Sequence, residues 1–166
     1  STIILFSNKT ESNNYYMTIL DERLSKGELS VDEYQKIIDR NNLSKHIILH
    51  AKFIPHEDVE HYYCASDLVV LPYKKIYQSG VLMMTLSYER PALVSDLPPL
   101  IEVITDNENG FLFASEDEED LTDKIIKIIS DKENLEKVRL KGIETVNTKY
   151  GWDEIGRLTK KAYQTL

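Results

Sequence analysis

Residues 66–96 read SDLVVLPYKKIYQSGVLMMTLSYERPALVSD, and their order decides the fold. Leu68–Leu71 is an uninterrupted apolar run, the pattern of a strand covered on both faces. A polar loop follows, and then Ser79 and Gly80 open a nearly all-apolar helix (Val81, Leu82, Met83, Met84, Leu86). Arg90-Pro91 stops that helix, and Ala92–Ser95 is a second apolar strand. Strand, helix, strand is the repeating unit of a parallel α/β sheet. It sets a helix N-terminus, whose first N–H groups have no intrahelical acceptor, beside the C-terminal end of a buried strand. In open α/β sheets, phosphate-bearing ligands bind at such places.

The same alternation extends outward. Thr2–Phe6, His46–His50 and Phe111–Phe113 read as further strands, which makes five. Helical spacing of apolar residues predicts helices over Asp32–Asn41, Pro55–Ser66, Leu121–Ile129 and Trp152–Leu166. The result is an α/β fold with a doubly wound, Rossmann-like parallel sheet. Segment Asn8–Ser30 is the least regular, and a short helix is expected around Tyr15–Leu24. With all strands parallel, Ser7–Thr10, Ala51–Pro55, Pro72–Gly80 and Asp96–Ile101 would converge on one crevice. Ser79 is suited to cap the helix, and Gly80 lets a ligand approach the backbone closely.

Composition narrows the function. The 166 residues suit one domain and are 42% apolar, enough for a core. A net charge of −8 argues against a nucleic-acid partner, which wants a basic face. The acidic run Glu116–Asp123 fits a solvated helix start. No apolar run approaches the ~20 residues of a membrane span, and no secretory leader is visible. The single Cys64 excludes an internal disulfide, fits a reducing cytoplasmic compartment, and reads as an inert buried thiol. Four histidines between His46 and His61 invite a metal reading. However, His46 and His50 would stand about 13 Å apart along a strand at ~3.3 Å per residue, and His56 and His61 fall on different helix faces. No metal is therefore expected. Tyr15-Tyr16 and Tyr62-Tyr63 read as core aromatics. No nucleophile-elbow spacing supports hydrolase chemistry.

The succession SDLVVLPY, short loop, QSGV, apolar helix, Arg-Pro, ALVSDLPPL, IEVI, NG-FLF resembles the C-terminal, nucleotide-sugar-binding domain of family-4 (group 1) glycosyltransferases of the GT-B fold. So does the upstream HIILHAKFIPHEDVEHYYCASD, similar to that family's strand, turn and helix. The likeness runs without gaps from about Leu43 to Phe113 and more loosely through TKYGWDEIGRLTKKAY. It implies a retaining transferase that moves a sugar from a UDP- or GDP-sugar to a hydroxyl acceptor, in glycan or surface polysaccharide synthesis, without a metal or other cofactor. Phe53 and Ile54 would face the base, and Tyr73, Lys74, Lys75, Gln78, Ser79, Gly80 and Val81 would hold the diphosphate and sugar. The resemblance assigns no catalytic residue.

Three departures from the family pattern follow. Two glutamates expected eight positions apart fall on Ile76 and Met84, and no Asp or Glu lies between Asp67 and Glu89. The basic clamp of the family's first strand–helix unit is missing, although Lys26-Gly27 imitates part of it. The N-terminal acceptor domain, a partner in the family, is also missing. Residues 1–166 thus read as one donor-binding domain, a fragment lacking the acceptor domain and the first strand–helix unit and expected to have little or no activity alone. The full-length enzyme is expected in the cytoplasm, peripherally at the inner membrane face. The competing reading is a non-catalytic Rossmann-like module that has lost donor binding.

Overall fold

The computed structural model describes residues 2–8, 15–21, 31–50 and 54–164. Phe53, Lys26 and Gly27 lie outside them. Among the described residues the strands are β1 (Thr2–Asn8), β2 (Tyr15–Asp21), β3 (Ile47–His50), β4 (Leu68–Leu71), β5 (Ala92–Ser95) and β6 (Phe111–Phe113). The helices are α1 (Val31–Arg40), α2 (His56–Cys64), α3 (Gly80–Ser87), α4 (Pro98–Ile101), α5 (Glu118–Ser130), α6 (Lys132–Lys149) and α7 (Trp152–Gln164).

One sheet carries the order β3-β2-β1-β4-β5-β6. β2 pairs in parallel with β3, and β4, β5 and β6 pair in parallel with one another. β1 runs antiparallel to both β2 and β4. The doubly wound α/β architecture stands, with one reversed strand near its middle. Tyr15–Asp21 is a strand, not the expected short helix. Its composition, YYMTILD, explains this: aromatic and β-branched residues favour the pleated state, and a seven-residue register from Thr2↔Asp21 to Asn8↔Tyr15 satisfies the ladder. The reversal also moves a loop. Phe6 pairs with Leu68, at the start of β4, so Ser7 and Asn8, still paired with β2, lie at the end of the sheet where β4 begins rather than where it ends.

β4 and β5 are buried along their whole length, because side chains alternate between two covered faces. Val69, Leu71, Ala92 and Val94 join Tyr63, Leu82, Leu86, Leu100 and Ile104 in one cluster. Leu68, Val70 and Leu93 join Phe111, Phe113, Ile128 and Val138 in the other. Fully burying a leucine such as Leu82 or Leu86 contributes about 1.5–3 kcal/mol. The acidic run does open α5: Asp117 accepts hydrogen bonds from the N–H groups of Glu119 and Asp120, and Glu118, Glu119 and Asp120 fill the first turn. Cys64 is exposed, a correction to the buried thiol expected from sequence. It is the last residue of α2, where the chain turns away from the cluster that holds the neighbouring Tyr63.

Candidate functional site

The loop between β4 and α3 is fixed at its root. Tyr73 is buried, and its carbonyl accepts a 2.7 Å hydrogen bond from Oγ of Ser95, itself fully buried at the end of β5. Beyond Tyr73 the loop turns outward. Lys74 forms an exposed bridge to Glu116 at 3.3 Å, and Nζ of Lys75 stands 5.7 Å from the centre of the Tyr77 ring. Ile76 turns back and packs against the core.

Ser79 caps α3 as the sequence predicts, its Oγ accepting from the Leu82 N–H at 3.0 Å. The Ser79 carbonyl takes the Met83 N–H at 3.3 Å. The N–H groups of Gly80 and Val81 find no acceptor among the described residues. They are two of the four donors that a helix start leaves over. A Cβ on Gly80 would meet nothing within 4 Å, and its backbone is not left-handed. The fold therefore does not require glycine there, and the bare backbone is open to an incoming group.

The rest of α3 is held rigidly. Leu82, Thr85 and Leu86 are buried, and Thr85 Oγ1 donates to the Val81 carbonyl at 2.8 Å. Met84 packs against the cluster shared with α2, where Tyr63 and Tyr88 stack with ring centres 5.1 Å apart. Burial there raises the pKa of the Tyr63 phenol. On the other side α6 presses in at Gly142, where a Cβ would lie 3.0 Å from Leu86 Cδ2 and 3.2 Å from the Asn109 carbonyl. Asn109 is buried and ties its loop together: it accepts from Thr105 N–H at 2.7 Å and donates to the Val103 carbonyl at 2.9 Å.

The α3 start opens onto a cleft of about 780 Å³ lined by Tyr77–Gly80 and Met83, by Glu102 and Val103 beside α4, and by the α6–α7 junction from Val146 to Ile155. Of the residues expected to bind, Gln78, Ser79 and Gly80 come together in this cleft. Tyr73 is buried in the core and Val81 packs against it, so neither lines the cleft. Lys74, Lys75 and Ile54 are not among its lining residues. Trp152, Glu102, Asn147 and Tyr150 are the additions that sequence reading missed. The available signal was Gly151, between two helical patterns. A Cβ there would fall 2.4 Å from the Asn147 carbonyl, so the tight turn that brings Trp152 to the cleft demands glycine. Among the described residues no three His, Cys, Asp or Glu side chains come together as a metal site, and no helix is long and apolar enough to cross a membrane.

Comparison with solved structures finds the same fold. The C-terminal domain of LpcC, a glycosyl transferase group 1 family protein from Francisella tularensis, is 24% identical with a TM-score of 0.67, over 73% of this chain and 62% of that one. HepE from Anabaena, solved with UDP, is 17% identical with a TM-score of 0.71, over 82% of this chain and 37% of that one. Sucrose-phosphate synthase from Thermosynechococcus elongatus is 20% identical with a TM-score of 0.68, over 81% and 35%. The chain thus spans less than two thirds of each of these relatives. No curated protein sequence matches it significantly. The sequence model of the family described as glycosyl transferases group 1 matches residues 5–145, most of the chain and all of β4, α3 and β5, and the chain belongs to that family.

Proposed function

We propose that this domain binds the nucleoside-diphosphate-sugar donor of a retaining glycosyltransferase that delivers the sugar to a hydroxyl acceptor in glycan synthesis. One observation carries the reading: α3, which follows β4, begins at an open glycine that lines a cleft, and the Gly80 and Val81 N–H groups find no acceptor among the described residues. In this reading the diphosphate lies against those amides, with Gln78 beside it. As the bond from the anomeric carbon to the phosphate oxygen breaks, negative charge grows on the departing diphosphate. Donors already aimed at that charge stabilise the transition state more than the ground state. HepE, which shares the fold, is solved with UDP, and this supports a nucleotide as the ligand.

A specific observation favours the competing reading of a module without donor binding. Ile76 and Met84, where family glutamates were expected, pack against apolar core, so neither position offers an acceptor for donor hydroxyls. Thermal melts with UDP and GDP separate the two readings. Donor binding predicts stabilisation of roughly 2.7 kcal/mol at 100 times Kd. No shift with either nucleotide at millimolar concentration would leave the non-binding module as the better account. The acceptor domain and contact with a membrane belong to the same proposal, as properties of the full-length enzyme.

A further inference from the structure

We propose that the hollow between the start of β5 and the first half of α6 is a second small-molecule site, which takes an organic acid with one carboxylate and a compact apolar body. Asp67 and Pro91 immediately precede β4 and β5, and both line the hollow. It therefore lies at the end of the sheet where these parallel strands begin, whereas the loop to α3 leaves from the end where β4 finishes. Nothing in it depends on the donor reading above.

Three observations converge. First, shape: the hollow holds about 420 Å³, within the ~300–1,000 Å³ typical of small-molecule sites. Its apolar walls are the buried Pro91 and the half-buried Ile129 and Leu135. Second, cations from separate elements meet there. Lys132, Leu135 and Arg139 recur at helical spacing on one face of α6, and Arg90, from the turn between α3 and β5, lines the same space. Third, these cations are held in different ways. Arg90 donates through Nε to the Tyr88 carbonyl and through Nη1 to the Ser66 carbonyl, both at 3.1 Å. Carbonyls are neutral acceptors, so the bonds fix the plane of the guanidinium without cancelling its charge. A group positioned in advance loses less freedom when a ligand arrives. Arg139, by contrast, is committed to Glu136 and Glu89. Lys132 makes no hydrogen bond or ion pair among the described residues.

Charge and shape together select the ligand. With Arg139 and Glu136 paired, Arg90 and Lys132 stand against Asp67, which leaves a positive excess on a chain whose net charge is −8. A single carboxylate balances that excess, and a guanidinium edge matches its two oxygens. A phosphate group, at roughly −1.5 to −2, overshoots it and meets the Asp67 carboxylate as a like charge. The apolar walls give the rest of the molecule a surface to cover, which a fully hydrophilic acid would leave wet.

Benzoate is the probe, since it joins one carboxylate to one ring. Acetate lacks the ring, and benzyl alcohol lacks the charge. At constant ionic strength, amide NMR should show saturable benzoate binding that shifts the Leu135, Glu136 and Arg139 amides and leaves those of Gly80 and Val81 in place. Acetate and benzyl alcohol should each bind more weakly by about fivefold or more. Lys132→Gln should weaken benzoate about fivefold, and Asp67→Asn should strengthen it about twofold. Both side chains are exposed, so the fold survives either change. Absence of saturation, shifts centred away from α6, or benzoate affinity unchanged in both variants overturns the site. Benzyl alcohol binding as tightly as benzoate overturns the carboxylate assignment, and acetate binding as tightly overturns the apolar body. The nucleotide melts test the α3 cleft separately, and their outcome leaves this one untouched.

Discussion

Gly80 and Gly142 show how the same residue type serves different ends. At Gly80 the space for a side chain is free, so the fold gains nothing from glycine. At Gly142 the space is occupied, so the packing depends on it. Gly80→Val should melt close to the parent temperature yet show no stabilisation by UDP or GDP, because the added methyls stand where the diphosphate would approach. Retained nucleotide stabilisation in that variant would place the phosphate elsewhere. Gly142→Val should behave in the opposite way. Forcing methyls against Leu86 and the Asn109 carbonyl should cost about 1–3 kcal/mol in chemical denaturation. The place of Gly80 at the start of α3 was legible from the sequence because strand, loop and helix signals surround it. Gly142 was not, because its neighbours across the packing, Leu86 and Asn109, are distant in sequence.

At the scale of elements, α6 does most to position α3, yet it gave the weakest sequence signal. Its buried residues are Val138 and Gly142, and a glycine adds nothing to an apolar stripe. A second tie between the two helices is ionic. Arg139 donates to Glu136 at 2.7 Å and also to Glu89, which stands just beyond α3 with a positive φ of 54°. Hydrogen bonds from Arg139 hold the Glu136 carboxyl below the ordinary glutamate value. A carboxylate lowered in this way contributes stability that is full above the unfolded-state pKa and is lost as pH falls through the folded one. The melting-temperature gap between the parent and Glu136→Gln should therefore begin to close as pH falls to the ordinary glutamate value and go on closing with further acidification. It should also be small, as exposed pairs are. A gap that widened toward acid would contradict the assignment. Among the strands, β4 and β5 were legible because continuous burial leaves continuous apolar runs. β2 was misread because a single seven-residue segment with mixed residues satisfies either period.

At the scale of the molecule, the apolar side of α7 is left uncovered: Trp152, Ile155 and Leu158 are 87%, 40% and 48% exposed. Their helical spacing marks this face in the sequence. Self-association that grows with concentration is expected in light scattering, and Leu158→Lys should reduce it. A monomer at all concentrations would show that the stripe is too narrow to drive contact. What composition and periodicity could not convey was the direction of β1, since reversing a strand leaves its pattern unchanged.

The ends of the sheet lead to one more consequence. Its outermost strands, β3 and β6, are only four and three residues long. An incoming chain that tried to extend the ladder would find few backbone groups to pair with, which is how natural sheets discourage edge-to-edge growth. Clumping of this domain should thus be reversible and detergent-sensitive, a matter of greasy side chains meeting, rather than the fibrous, dye-binding kind that spreads through main-chain templating.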